Sequence, residues 1–146
     1  MIVSKKAQVA VEYLFILALA LAIIIPGSVL FLNYSQESNE KIINSQINQI
    51  GDNIIDQAEN IFTIGKESWI TLEISIPEKV TKMYIIDDEL VIEYNTKSGI
   101  TEAVFFSGVP IQGGFGGNIT NNLHFGYMSV KIESLGTNVS IYEESN

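Results

Sequence analysis

Residues able to do chemistry are few in this chain of 146 residues. His124 is its one histidine and cysteine is absent, so no thiolate and no His/Cys ligand set can form. His124 stands beside Phe125 and Tyr127 in a strand-like segment, which marks it as a sheet residue rather than a catalytic base or a metal ligand. Asp87, Asp88 and Glu89 offer three carboxylates in a row, the oxygen chemistry that calcium takes. They lack the spaced ligands of a calcium loop, and the same residue types between two apolar runs make a tight hairpin turn. The run Gly113-Gly114-Phe115-Gly116-Gly117 has no Lys-Ser/Thr after it and opens no helical pattern. It reads as a mobile surface loop rather than a phosphate cradle. No serine, lysine or carboxylate pair forms a catalytic constellation. The expectation is a protein that is not an enzyme and needs no cofactor and no metal.

Two other groups of residues carry chemistry of a different kind. Asn33, Asn118 and Asn138 each begin an Asn-x-Ser/Thr sequon, the acceptor for N-linked glycans. Twelve asparagines and 20 serines and threonines in 146 residues give about 1.6 sequons by chance (12 × 20/146), so three are weak evidence. Asn118, in the glycine-rich loop, is the most accessible candidate. Glu12 is more informative. It sits at the start of an apolar run, and an acid at the centre of a membrane helix costs about 2.5–3.5 kcal/mol. Near the end of a span the cost falls, so one reading is an interfacial acid. The other is an acid kept for a partner met outside lipid. No lysine stands three or four residues from Glu12 on its own helix, so a cationic partner would come from another chain.

The elements that position these residues form three parts. Residues 1–7 are short and basic. From Tyr13 to Gln36 no residue is charged, a run of 24. As a helix it spans about 36 Å, more than the ~30 Å hydrocarbon core of a bilayer. It exceeds the ~7–15 apolar residues of a cleaved secretory signal, and no small-residue cleavage site follows it, so it is expected to be retained. Lys5 and Lys6 precede it and acids follow it closely, which puts the N-terminus in the cytoplasm and the bulk of the chain outside. Pro26-Gly27 interrupts the run and is expected to kink the helix. Beyond Asn33, Ile43, Ile47, Ile50, Ile54, Ala58 and Ile61 recur every three or four residues among polar neighbours, an amphipathic helix. Gly65 can supply its left-handed cap. One rod over residues 8–64, about 80 Å long, is expected.

From residue 65 to 146 the period changes to two. Ile70, Leu72, Ile74 and Ile76 alternate with polar residues, and Pro77 ends the run. Two strands around the Asp87-Asp88-Glu89 turn follow, then a turn at Asn95–Gly99, a further strand, and strands on either side of Leu135-Gly136-Thr137. The fold class expected is α+β: a long N-terminal α-helix, membrane-spanning and then amphipathic, followed by an antiparallel β-sandwich or barrel-like domain. The amphipathic half of the helix is expected to supply a face for the sheet. The formal charge of −9, from 17 acids and 8 lysines, argues against nucleic acid as a partner.

The stretch Lys5-Lys6-Ala7-Gln8-Val9-Ala10-Val11-Glu12-Tyr13 resembles the processing site of archaeal type IV pilins that carry a class III signal peptide. The order around it, with leader, retained apolar helix, rod and β domain, is similar to the same family. The resemblance implies that Lys5 and Lys6 are read by a membrane aspartic protease of the prepilin peptidase type. It implies that Ala7 precedes the cut and that Gln8 becomes the mature N-terminus. Glu12 then falls at mature position five, where these pilins carry their acid, facing the α-amine of a neighbouring Gln8. The family usually has glycine where Ala7 stands and serine where Ala10 stands. Cyclisation of Gln8 to pyroglutamate would remove the charge that Glu12 would meet.

What the resemblance implies for function is a structural subunit of a type IV-like pilus serving surface adhesion. Its partners would be further copies or other pilins, the prepilin peptidase, the membrane platform and ATPase of pilus assembly, and membrane lipid before assembly. The precursor would lie in the cell membrane and the product in an extracellular filament. The alternative is a membrane-anchored extracellular β-domain binding module that does not polymerise, which leaves Glu12 without a task.

Overall fold

The computed structural model describes residues 5–144, with side-chain surroundings from Gln8 onward. The expected leader falls mostly outside the described residues: residues 1–4 and the side chains of Lys5, Lys6 and Ala7 are not covered. The chain divides into two units, Met1–Lys41 and Ile42–Asn146, and one helix, α1 (Lys5–Ile64), contributes to both.

α1 is already helical at Lys5, the first described residue, three residues before the expected Gln8. Lysine and alanine favour helix, and nothing in Lys5-Lys6-Ala7 competes for the backbone. The Ala7–Gln8 bond therefore lies within helix. At the other end the expected glycine cap is present. Gly65 has φ of +113° and its N–H reaches the Ile61 carbonyl at 3.2 Å. The Ser68 hydroxyl donates to the same carbonyl at 2.9 Å, which closes the helix end against β1.

The second unit is an α+β fold with two sheets. The strands are β1 (Trp69–Ile76), β2 (Val80–Ile86), β3 (Glu89–Thr96), β4 (Gly99–Phe106), β5 (Ile111–Gly113), β6 (Gly126–Ser134) and β7 (Val139–Glu143). One sheet has the order β1-β6-β7-β5 and the other the order β2-β3-β4. All pairings are antiparallel except β5 with β7, which is parallel. The sheets are thus predominantly antiparallel, as expected, with one parallel pairing added. The chain leaves β5, runs back along β6 and turns once more into β7, so it returns beside β5 in the same direction.

The apolar stripe of α1 joins both sheets in one core. Ile47, Ile54 and Ala58 are fully enclosed with Leu90 and Ile92 of β3, Val130 and Ile132 of β6, and Val139 and Ile141 of β7. Gly51 allows the closest approach. A Cβ there would fall 2.3 Å from the Phe105 ring, so only glycine lets that ring lie against the helix. Among the described residues no buried polar side-chain atom lacks a hydrogen-bond partner.

The turns form where they are expected, with tighter bounds. Asp87 and Asp88 have φ of 50° and 63°, the two left-handed positions of a type I′ hairpin turn, while Glu89 already belongs to β3. Asp88 also accepts from the Ile111 N–H through Oδ1 at 3.0 Å, so the carboxylate holds β5 in place. The glycine-rich stretch departs from the expected mobile loop. Its backbone is tied to β2, with the Ile85 N–H donating to the Gly117 carbonyl at 2.7 Å and the Ile119 N–H to the Met83 carbonyl at 3.2 Å. Glycine is required at Gly113, where a Cβ would meet the Gly117 backbone at 2.3 Å. Compactness, rather than mobility, explains the glycines.

Candidate assembly segment

In the first unit α1 carries a segment long and apolar enough to cross a membrane. Every side chain from Gln8 to Tyr34 is exposed in the single chain. Valine, leucine, isoleucine and phenylalanine cover the helix all round: Val9, Phe15, Leu30 and Phe31 are each about two-thirds exposed. Burial of one such side chain is worth about 1.5–3 kcal/mol, and the net stability of a domain is only about 5–15 kcal/mol. A surface of this size cannot be left in water. It needs lipid or other apolar helices around it.

The charges bracket this surface. Glu12 stands one residue before the uncharged run and Glu37 one residue after it. Glu37 pairs with Lys41 at 3.0 Å in the favourable i, i+4 order. The hydrogen bond that the Lys41 ammonium donates to Glu37 raises its pKa above the ordinary value, and both groups face solvent. Glu12 forms no ion pair among the described residues, and its neighbours one turn away are Gln8, Val9, Phe15 and Ile16. Gln8 and Glu12 share a helix face, four residues apart, and helical side chains lean toward the N-terminus. An α-amine created at Gln8 would therefore be presented on the side where the Glu12 carboxylate leans, to its own chain and to a neighbour alike.

Pro26 cannot donate to Ala22, yet α1 remains helical through it and through Gly27. Two residues on, the Ser28 hydroxyl donates to the Ile24 carbonyl at 2.8 Å. A Cβ on Gly27 would meet nothing within 4 Å, so its own chain does not require glycine there.

The structure separates the three sequons from one another. Asn33 is exposed on α1, at the C-terminal end of the apolar run. Asn118 is exposed beside β2, but the hydroxyl of its sequon is not: Thr120 is buried and donates to a Glu143 carboxylate oxygen. Asn138 is half-buried in the turn before β7, and its sequon serine, Ser140, is buried within the sheet.

His124 lies between the glycine-rich stretch and β6, outside any strand, which corrects the strand-like expectation. Gly126, with φ of +95°, starts the strand two residues later. Nε2 sits 3.0 Å from Glu143 Oε1, and Nδ1 sits 3.3 Å from the Phe125 carbonyl. Both ring nitrogens face acceptors. The Phe125 carbonyl and then the Glu143 carboxylate raise the imidazole above its ordinary value. Glu143 thus ties Thr120 and His124 to the last strand. Nothing in the sequence pairs residues 19 apart without periodicity, so this clip had no legible signal.

No family model, curated protein or solved structure matches this chain.

Proposed function

We propose that this protein is the structural subunit of an archaeal type IV-like pilus, polymerised through α1 and used for surface adhesion. The observation that carries the reading is the exposed apolar surface of Gln8–Tyr34, with Glu12 placed one residue ahead of its uncharged core. Such a helix is stable in lipid and equally stable among copies of itself, so moving it from membrane to filament exposes no apolar surface to water.

A prepilin peptidase would read Lys5 and Lys6 and cut between Ala7 and Gln8. The cut removes two charges that anchor the N-terminus at the cytoplasmic face, and it creates the cation that Glu12 lacks. In the filament core this carboxylate pairs with the Gln8 amine of a neighbour, a contact that sets axial register. The assembly platform and its ATPase supply the work of extraction, and glycans on Asn33, Asn118 or Asn138 would lie on the outer surface. A monomeric membrane-anchored module would use the same apolar segment but gives Glu12 no partner.

Expression of Glu12→Leu with the processing peptidase tests the reading. The variant is expected to be cleaved and to stay in the membrane while wild-type chains form filaments. Normal assembly of Glu12→Leu, or an uncut Ala7–Gln8 bond in the wild type, would favour the monomeric anchor.

A further inference from the structure

The two edges of the β2-β3-β4 sheet are treated differently. The β2 edge is closed by the backbone of Gly117 and Ile119. The β4 edge is bare over its length. Its hydrogen-bonding parity follows from the hairpin register, which pairs Thr96 with Gly99 across the two-residue turn Lys97-Ser98. The same register continues to the Ser107 N–H, which donates to the Asp88 carbonyl at 3.3 Å. Residues 99, 101, 103 and 105 therefore bond to β3, while Ile100, Glu102, Val104 and Phe106 turn their N–H and C=O groups outward. None of those outward groups has a protein partner among the described residues.

Natural sheets protect such an edge with lysine, proline, a bulge or a covering segment. β4 has none of these and carries one charge, Glu102. The side chains of Ile100 and Phe106 on the outer face are about 70% exposed, and Val104 beside them is partly exposed. A groove runs along the β4 edge, between the strand and α1. It is lined by Asp52, Asp56 and Glu59 of the helix together with Val104, Phe105 and Phe106. Glu59 is engaged with the Gly108 N–H at 2.8 Å. Asp52 and Asp56 are exposed and form no ion pair among the described residues. The β1 edge of the other sheet borders a groove whose helix side is uncharged, with Gln46, Gln49 and Asn53, and whose one acid is Glu73 of β1 itself.

We infer that β4 is an interaction edge that accepts an extended basic segment of another protein as a fourth strand. The strand would alternate, with lysine or arginine on the side facing Asp52 and Asp56 and apolar residues on the side facing Val104 and Phe106. Main-chain pairing to residues 100, 102, 104 and 106 supplies the affinity, and the two faces supply the selection. A second copy in the same role would bring its own Asp52 and Asp56 toward these acids, so the charges select a basic partner instead. The inference rests on the β unit alone and stands whether or not the chain polymerises.

The test uses the full chain in nonionic detergent and a capped synthetic peptide alternating valine and lysine, with a valine–glutamate peptide as control. Amide exchange read residue by residue is the main measurement. In the free chain Ile100, Glu102, Val104 and Phe106 are expected to exchange fast, while Thr101, Ala103 and Phe105 are protected. The lysine peptide should protect the first set and the glutamate peptide should not. Asp52→Asn with Asp56→Asn should weaken binding about tenfold and flatten its salt dependence. Glu102→Pro removes an outward N–H without touching the β3 ladder and should abolish binding with little change in Tm. Equal binding of the two peptides, or unchanged affinity in the aspartate variant, would overturn the inference. So would protection of the four outward amides that grows with protein concentration and needs no peptide, which would assign the edge to a second copy.

Discussion

At the scale of single residues, Gly51 leaves the room in which the half-buried Phe105 ring lies against α1. Helix propensity alone favours alanine over glycine by about 1 kcal/mol, so Gly51→Ala would stabilise an isolated helix. In the folded chain the new methyl would meet the Phe105 ring at 2.3 Å. We expect the clash to win and the β unit to lose about 1–3 kcal/mol, read as a lower Tm. Pairing it with Phe105→Leu should recover part of the loss. Asp88 makes a second local prediction. Asp88→Ala removes the acceptor for the Ile111 N–H and places a Cβ-branched-free but still L residue at φ of 63°, so β5 should exchange its amides faster.

His124 gives a pH dependence whose sign is defined. Its value is raised in the folded chain, so the protonated form is the one the fold favours. The contribution is fully present below the ordinary value of about 6.5 and is lost as pH rises through the higher folded value. The Glu143 amide, which donates to the Ile119 carbonyl at 2.8 Å beside the clip, should therefore exchange faster on the alkaline side, beyond the intrinsic acceleration. His124→Gln should remove that pH step. A step that survives the substitution would place its origin elsewhere.

At the scale of elements, legibility followed the range of the interactions. α1, β1 and the two hairpins were readable because periodicity, Pro77, Asp87-Asp88 and Gly65 are local signals. β5 was not readable: Ile111-Gln112-Gly113 has no alternation of its own and exists as a strand only because β7 lies beside it. The apolar segment and Glu12 were legible for the same local reason. The bare β4 edge was not, because strand order depends on contacts far apart in sequence. One prediction belongs to this scale. Pro26→Ala should restore the hydrogen bond to Ala22, and on the proposed pilin reading filaments of that variant should be stiffer than the wild type. Unchanged stiffness in electron micrographs would remove any role of Pro26 in assembly.

At the scale of the whole molecule, the two units present different surfaces: the first an exposed apolar helix, the second an enclosed core. A chain beginning at Ile42 is expected to be soluble and monomeric without detergent, and to keep a cooperative thermal transition, because its core residues all lie within the second unit. Residues 8–41 fused to an unrelated soluble protein should carry that protein into membranes. Gel filtration of the first and flotation of the second on liposomes check both.

The position of β7 sets a clock on folding. The last strand in sequence is an interior strand of its sheet, held between β6 and β5, with Val139 and Ile141 fully enclosed. The β2-β3-β4 sheet is made of consecutive hairpins and can form as the chain emerges. The other sheet waits for residues 139–143. A chain stalled or clipped just before them holds a finished hairpin sheet, an open core and a membrane-competent helix already in place. β7 therefore serves as a completeness check: only a chain that includes residues 139–143 can close its core.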